Sequence, residues 1–348
     1  VVDGLPASID LSLSNVDLRD RKERFLMHEL RGELHWRSGA PAPPSYLAWS
    51  SGGSYGLRGG AARIEFQFQD RDFRLLRPAR IPIFDGALRI ERFSAEDIGL
   101  PSMRSSVEGE IEPIGMPLLS RAFGWPELAG TLRGSIPRVE YRDKVVTFHG
   151  DAVARVFDGR IVGSNMRLQD PLGPWPRFFA DIKIDNLDLL LVTGTFSFGS
   201  ITGRLSGSID DLELFKWSPV RFDARLGTPP RDRSRRRISA KAVTELANIG
   251  GGGNSVLKSL QSGIMRFFDE YDYERLGIRC QLDGEVCRMS GIERSGVGYY
   301  LVKGRGLPRI DIVGTVAQVN WRQLVAQVSA NMQGEGKIRV QRGSPSRP

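Results

Sequence analysis

The chain has 348 residues, 40% hydrophobic and 26% charged, with a formal charge of +8 and a pI near 9.7. These totals exclude wholesale disorder and allow either two or three average domains or one elongated all-β unit. The positive balance predicts attraction to polyanions, but no basic stripe interleaved with aromatics and no nucleic-acid-binding motif accompanies it, so nucleic acid is not expected as a partner.

No apolar run approaches the roughly 18 residues that a membrane-spanning helix needs. The chain opens at Val1 without a start methionine, signal peptide or anchor, which predicts a processed or truncated piece of a longer protein. Its 40 glycines and 20 prolines are spread along the chain and read as turns and bulges between many strands.

From the N-terminus, Ile9, Leu11 and Leu13 alternate with Asp10 and Ser12. Leu26, His28, Leu30, Gly32, Leu34 and Trp36 then share one side of a second strand. His28 lies on the apolar side and reads as a satisfied, partly buried histidine; His35 lies on the polar side. Residues 38–62, rich in Gly, Pro and Ser, read as a loop or weakly ordered insert. Strand pattern returns at Ile64, Phe66 and Phe68, at Ile81–Ile83 and at Leu88–Ile90, with a turn at Asp85-Gly86, and a short helix is expected near Pro117–Phe123.

The centre of the chain, Gly130 to Leu226, is a meander of alternating strands. Phe178, Ala180, Ile182 and Ile184 fall on one face; so do Ile201, Gly203, Leu205, Gly207 and Ile209, and then Val220, Phe222, Ala224 and Leu226. Such alternation describes an antiparallel sheet with one wet face. GTLRGSI at Gly130–Ile136 and GRLSGSI at Gly203–Ile209 echo each other, and Gly32-Glu-Leu34 and Gly109-Glu-Ile111 repeat the form more faintly. The phase slips between Ile184 and Leu187 and again between Ile209 and Leu212, which predicts a bulge at each place.

At Thr228 the character changes. Pro229-Pro230 ends a strand and Arg231, Arg233, Arg235, Arg236 and Arg237 form a basic loop, readable as solvated or as a grip on lipid phosphates. Ser239 is a candidate N-cap for a helix to about Ile249, ended by Gly250–Gly253. A second helix follows Asn254 or Ser255, with Leu257, Leu260, Ile264, Phe267 and Phe268 in a stripe; a third begins at Asn320, with Trp321, Leu324, Val325 and Val328 on one side. From Gln333 the pattern is a short strand and a tail. Asp283-Gly284 reads as a two-residue hairpin turn that sets Cys280 opposite Cys287. The pair reads as a disulfide, hence an oxidising compartment, with two buried free thiols as the other state open to it. Two thiolates without histidines make a poor zinc site, and no metal is expected.

Six segments resemble a known family: WPRFFADI at Trp175–Ile182, FSFGSITGRL at Phe196–Leu205, LFKWSPV at Leu214–Val220, the glycines Gly250–Gly253, LQSGIMRFF at Leu260–Phe268 and GYYLVKGRGLPRIDIVG at Gly298–Gly314. Together they are similar to the C-terminal region of the YdbH-like branch of AsmA-type proteins of the Gram-negative envelope, a region also known as a dicarboxylate transport domain. The likeness runs from about Gly130 to Leu324 and is more general before that. It implies a mainly β fold: an elongated, curled antiparallel sheet, with C-terminal helices packed on it or plugging it. The expected divisions are residues 1–129 and 130–227 as successive parts of the sheet and 228–348 as the helix-bearing end.

The resemblance further implies a periplasmic conduit that passes phospholipid acyl chains between membranes, with an inner-membrane anchor in full-length members. Its partners would be phospholipid, membrane surfaces and other envelope proteins at the channel ends. The expected groove lining is Phe178, Ile182, Ile184, Leu187, Leu189, Leu191, Ile201, Leu205, Ile209, Val220, Phe222 and Leu226, with the five arginines of Arg231–Arg237 at headgroups. From the residues alone, these apolar positions either line an open trough or fill an ordinary core. The other function open to the chain is a structural or assembly module that binds a partner by strand addition.

No enzyme or cofactor is expected. Gly52–Gly56 fits G-x-S-x-G, but a loop precedes it and a strand follows, which is not a nucleophile elbow. His149 sits at a turn, and Asp185, Asp188, Asp210 and Asp211 mark strand ends.

Overall fold

Alternation with period two becomes one antiparallel sheet in the computed structural model, which describes residues 7–20, 25–54, 57–123, 130–171, 173–195, 198–251, 268–296 and 298–326. The ladder begins with β1 (Ser8–Arg19) and β2 (Phe25–Arg37). Three kinked strands follow, each in two pieces: β3 (Ser45–Trp49) with β4 (Ser51–Ser54), β5 (Leu57–Gly59) with β6 (Ala62–Gln69), and β7 (Asp72–Leu75) with β8 (Ala79–Ile83). Next come β9 (Gly86–Glu96), β10 (Arg104–Gly115), helix α1 (Met116–Phe123), β11 (Thr131–Arg142), the pieces β12 (Val145–His149) and β13 (Ala152–Val156), and β14 (Gly159–Gln169). The middle closes with β15 (Arg177–Asp188), helix α2 (Leu189–Thr195), β16 (Arg204–Phe215) and β17 (Ser218–Gly227).

Each rung of this ladder pairs antiparallel with the next in sequence, and the pairing crosses from β10 to β11 without a break. The stretches before and after residue 130 therefore belong to one sheet. Among the described residues one short parallel pairing, Trp36 with Phe68 and Arg37 with Gln69, joins β2 to β6.

The C-terminal part adds β18 (Arg237–Ser239), α3 (Ala240–Ile249), β19 (Glu270–Asp283), β20 (Val286–Gly291), β21 (Arg294–Ser295), β22 (Gly298–Gly304), β23 (Ile312–Gly314), β24 (Gln318–Asn320) and a helical segment at 321–326. β19, β20 and β24 continue the ladder beyond β17. β18 and β22 pair instead with the first half of β19 and build a cap at its start. Ser239 caps α3 as expected, its hydroxyl accepting from Ala242 N at 3.3 Å and from Ser200 N at 3.0 Å. Asn320 caps the last helical segment through Gln323 N at 3.1 Å. The expected second helix, from Asn254 or Ser255 through Phe268, lies outside the described residues up to Phe267, and Phe268 is not helical; the residues from Gln333 also lie outside them.

Both expected bulges are present. Asn186, at φ 58°, sits in the shift between Ile184 and Leu187, and Asp211, at φ 53°, in the shift between Asp210 and Glu213. The glycine echoes find their physical cause here. A Cβ on Gly32, Gly109 or Gly134 would lie 2.2 Å from a carbonyl oxygen of the neighbouring strand, and on Gly207 1.9 Å. The repeated motif marks places where two backbones approach more closely than any side chain allows, as a bending sheet requires.

Four expectations need correction. Residues 45–49, 51–54 and 57–59 of the expected insert are strands, whose small residues fit under neighbouring backbone; a Cβ on Gly52 would meet Leu26 O at 3.0 Å. The turn at Asp85-Gly86 lies one residue earlier, at Phe84-Asp85, because Gly86 is needed inside β9, where a Cβ would reach Pro113 O at 2.2 Å. Conversely, the turn expected at Asp283-Gly284 lies one residue later, at Gly284-Glu285, since Gly284 takes the first positive-φ position at 61°. Leu282 thus opposes Cys287 and Cys280 opposes Met289, so the cysteines are diagonal neighbours; they are disulfide-bonded across a Cα separation of 5.6 Å. Finally, Ile201 is not in the strand expected over Ser200–Asp210. β16 starts at Arg204, and Ile201 bridges to Ile238 of the cap.

Two expected outcomes test this account by urea unfolding. Gly134→Val, which forces a side chain into Val153 O, lowers stability by about 2 kcal/mol or more. Asp143-Lys144 forms a two-residue turn with both φ positive (51° and 61°), so Lys144→Gly, relieving a left-handed side chain, raises stability by roughly 1 kcal/mol.

Candidate functional site

In an antiparallel ladder directly opposed residues project to the same face, so register pairs trace a face strand by strand. Starting from Ile81, the partners run Leu88, Ile111, Gly134, Ala154, Ile161 and Ile184. The same row continues through Gly207, Leu226, Ile278 and Gly291. Every member is apolar or glycine. A parallel row from Ala152 reads Gly163, Ile182, Ile209, Ala224, Cys280 and Met289.

The opposite face is laced with ion pairs, among them Arg80 with Glu112 at 2.6 Å, Arg160 with Asp185 at 2.7 Å and Arg279 with Asp223 at 2.5 Å. The hydrogen bond from Arg279 holds the Asp223 carboxyl below its ordinary range, and that from Arg80 does the same for Glu112.

The apolar face has two fates. Toward the C-terminus it is covered. Phe222, Leu282 and Cys287 join Ile238, Val243, Ala247, Tyr271, Tyr273 and Val302 of the cap in one buried core, with Phe222 edge-on to Trp321 at 5.3 Å. The Tyr273 hydroxyl donates to Thr202 O at 2.7 Å, and burial pushes its pKa well above the usual phenol range. A smaller cluster of Ile114, Met116, Leu119 and Val156 packs at α1.

Toward the N-terminus the face is open. One cavity of about 410 Å³ is lined by residues including Leu26, Trp49, Leu57, Ile64, Ile81 and Ile90; a second, of about 570 Å³, by residues including Ile9, Leu11, Leu34, Trp36, Phe68 and Ile98. Phe73 lines both, so they adjoin. Phe73 is stacked on Phe66 at 4.8 Å and meets Phe93 edge-on at 5.5 Å, which makes a wall of aromatic rings between the strands.

The expected lining residues divide between these fates. Leu187, Leu189, Ile201 and Phe222 are buried, at 5%, 4%, 4% and 8% exposure, and Leu205 and Ile209 pack on the same core. Leu189 and Leu191 sit on α2, not on a strand. Phe178, Ile182, Ile184, Leu191, Val220 and Leu226 are half-buried. The two large apolar cavities fall instead on residues 9–98, where the alternation of Ile9 with Leu11 and of Ile64, Phe66 and Phe68 was the available signal. Of the basic loop, Arg236 is tied to Asp232 at 3.1 Å and Arg237 to Glu270 at 2.9 Å, while Arg231, Arg233 and Arg235 are exposed.

The remaining polar candidates have local partners. His28 is half-exposed and lies 3.4 Å from Asp17, displaced from the apolar side at the kink marked by Glu29 (φ 51°); His35 contacts Asp10 at 2.6 Å. His149 pairs with Glu140 at 2.6 Å, and Asp188 accepts from Leu190 N to start α2. Of the Gly52–Gly56 motif, Gly52, Gly53 and Ser54 lie in β4, which pairs with β2 and β5; Tyr55 and Gly56 lie outside the described residues. Among the described residues no cluster of three or more His, Cys, Asp or Glu has metal-binding geometry.

One carboxylate holds the bend of the middle strands. Asp181, on the outer face of β15, accepts from Asn165 Nδ2 at 2.7 Å and from Asp211 N at 2.9 Å, so it ties together the bulges of the two flanking strands. The Asn165 bond, and then the Asp211 bond, lower its pKa. A carboxyl whose folded pKa is depressed stabilises the fold above its unfolded value of about 3.9 and loses that contribution as pH falls. The expected result is that Asp181→Asn is less stable than wild type at pH 7 and has a shallower loss of stability below about pH 4, read from urea midpoints across the pH range.

No family model matches the sequence, and no curated protein or solved structure matches the chain.

Proposed function

We propose that the protein is a lipid-transfer conduit whose open apolar face receives the acyl chains of phospholipids. The observation that carries this reading is the pair of adjoining apolar cavities meeting at Phe73. Their sizes lie within the range of about 300–1,000 Å³ typical of small-molecule sites. Each methylene taken from water into such a surface contributes about 0.8 kcal/mol, without any directional bond that would fix one position. A chain held in this way can slide. The likeness to AsmA-type envelope proteins points the same way, and the disulfide between Cys280 and Cys287 suits the oxidising periplasm as the compartment. Among the described residues no helix is long and apolar enough to cross a membrane.

A second reading has its own support. Among the described residues β1 pairs with β2 on one side alone, and Ile9 and Leu11 are 59% and 48% exposed, so its free edge offers a template for a partner's strand.

The test is mass spectrometry of organic extracts from purified protein, with displacement of a fluorescent fatty acid in solution. Phospholipid co-purifies, and Phe73→Glu reduces probe affinity about tenfold or more while the β-sheet circular dichroism is retained. A lipid-free protein that binds no probe would end the conduit reading and leave the strand-addition module.

A further inference from the structure

Two loops from different parts of the chain converge beside the cap. The loop between β17 and β18 supplies Asp232, Arg233, Ser234, Arg235 and Arg236; the loop after β22 supplies Arg305 and Gly306. They enclose a cavity of about 350 Å³, with Asp272 and Tyr273 of β19 on its wall.

Both loops are fixed to that same strand. Arg305 N donates to Asp272 O at 2.9 Å, and the Arg236 guanidinium donates to Glu274 O. Within the first loop, the Asp232 side chain is only 3% exposed; it accepts from Ser234 N at 2.9 Å and from Arg236 Nε at 3.1 Å. The backbones that carry the remaining arginines are therefore held in place before any ligand arrives.

The charges do not cancel. Four guanidiniums line the cavity against two carboxylates. Asp232 is matched by Arg236, and Asp272 lies 3.5 Å from Arg237, outside the cavity lining. Arg233, Arg235 and Arg305 lack an acidic partner among the described residues. The Tyr273 hydroxyl already donates to Thr202 O, which leaves recognition to the guanidiniums. Like charges gathered at one cavity repel each other, and an oxyanion relieves that repulsion. The planar fork of arginine matches paired phosphate oxygens, and a cavity of this size admits a phosphoryl group with a small substituent.

We infer that this cavity binds a phosphoryl group, carried either by a soluble phosphate compound or by the headgroup of an anionic phospholipid. The inference does not depend on the apolar trough.

The experiment is calorimetric titration with inorganic pyrophosphate, beside flotation with vesicles of phosphatidylcholine alone or mixed with phosphatidylglycerol. The variants are Arg305→Gln, Arg233→Gln and, as a charge-matched control outside the cavity, Arg231→Gln. Wild type binds pyrophosphate or the mixed vesicles. Arg305→Gln and Arg233→Gln each weaken that binding about tenfold. Arg231→Gln weakens it less than about twofold, as a solvated charge should. Pyrophosphate binding with this pattern assigns a soluble phosphate; vesicle binding alone with the same pattern assigns the lipid headgroup. Absence of binding to both probes overturns the site, as does an equal loss in Arg231→Gln. Circular dichroism and fatty-acid affinity unchanged in Arg305→Gln show that the variant is folded and separate this result from the fate of the trough.

Discussion

A sheet that gathers its nonpolar side chains on one face, with no second layer beneath, must either bend that face inward or leave it to water. The whole architecture answers this constraint. Bending crowds the inner face and brings neighbouring backbones together, and glycines stand where the crowding is worst: Gly134 and Gly207 within one row of register partners, Gly109 within another. Bulges at Asn165, Asn186 and Asp211 absorb the extra length, and Asp181 ties two of them together from outside. Polar groups on the wet side therefore help shape the dry one.

The two fates of the apolar face follow from chain connectivity. Where the chain leaves the ladder, after β17 and after β20, it returns with β18, α3, β22 and β23, and these supply the missing second layer over Phe222, Leu282 and Cys287. Elsewhere, apart from the connections that carry α1 and α2, many strands are joined to the next by a short turn with no residues to spare for a cover. Short connections such as Asp143-Lys144 and Lys216-Trp217 keep the ladder regular and leave its face uncovered. The aromatic wall of Phe66, Phe73 and Phe93 gives that uncovered part a defined shape.

Period-two alternation made the ladder legible, because a strand's face is written in its own few residues. Ile184 to Leu187 and Ile209 to Leu212 betrayed their bulges in the same way, and Ser239 announced its helix by a bond only three residues long. Features set by distant partners were not legible. Gly86 resembles a turn glycine until Pro113 is seen to lie against it, and Gly52, Gly53 and Gly59 resemble a loop until their strand neighbours are in place. Whether Leu205 faces a guest or a core depends on the cap, which enters the chain later. Arg305 meets Arg233 only through the folding of that cap.

Because nearly every strand bonds only to its neighbours in sequence, the sheet is close to one-dimensional. Inserting or deleting a hairpin in such an arrangement alters its span by about 10 Å, two inter-strand steps, and leaves the remaining pairings undisturbed. Span is then a quantity that gene duplication and deletion can tune in small steps, so the same architecture can be cut to gaps of different width.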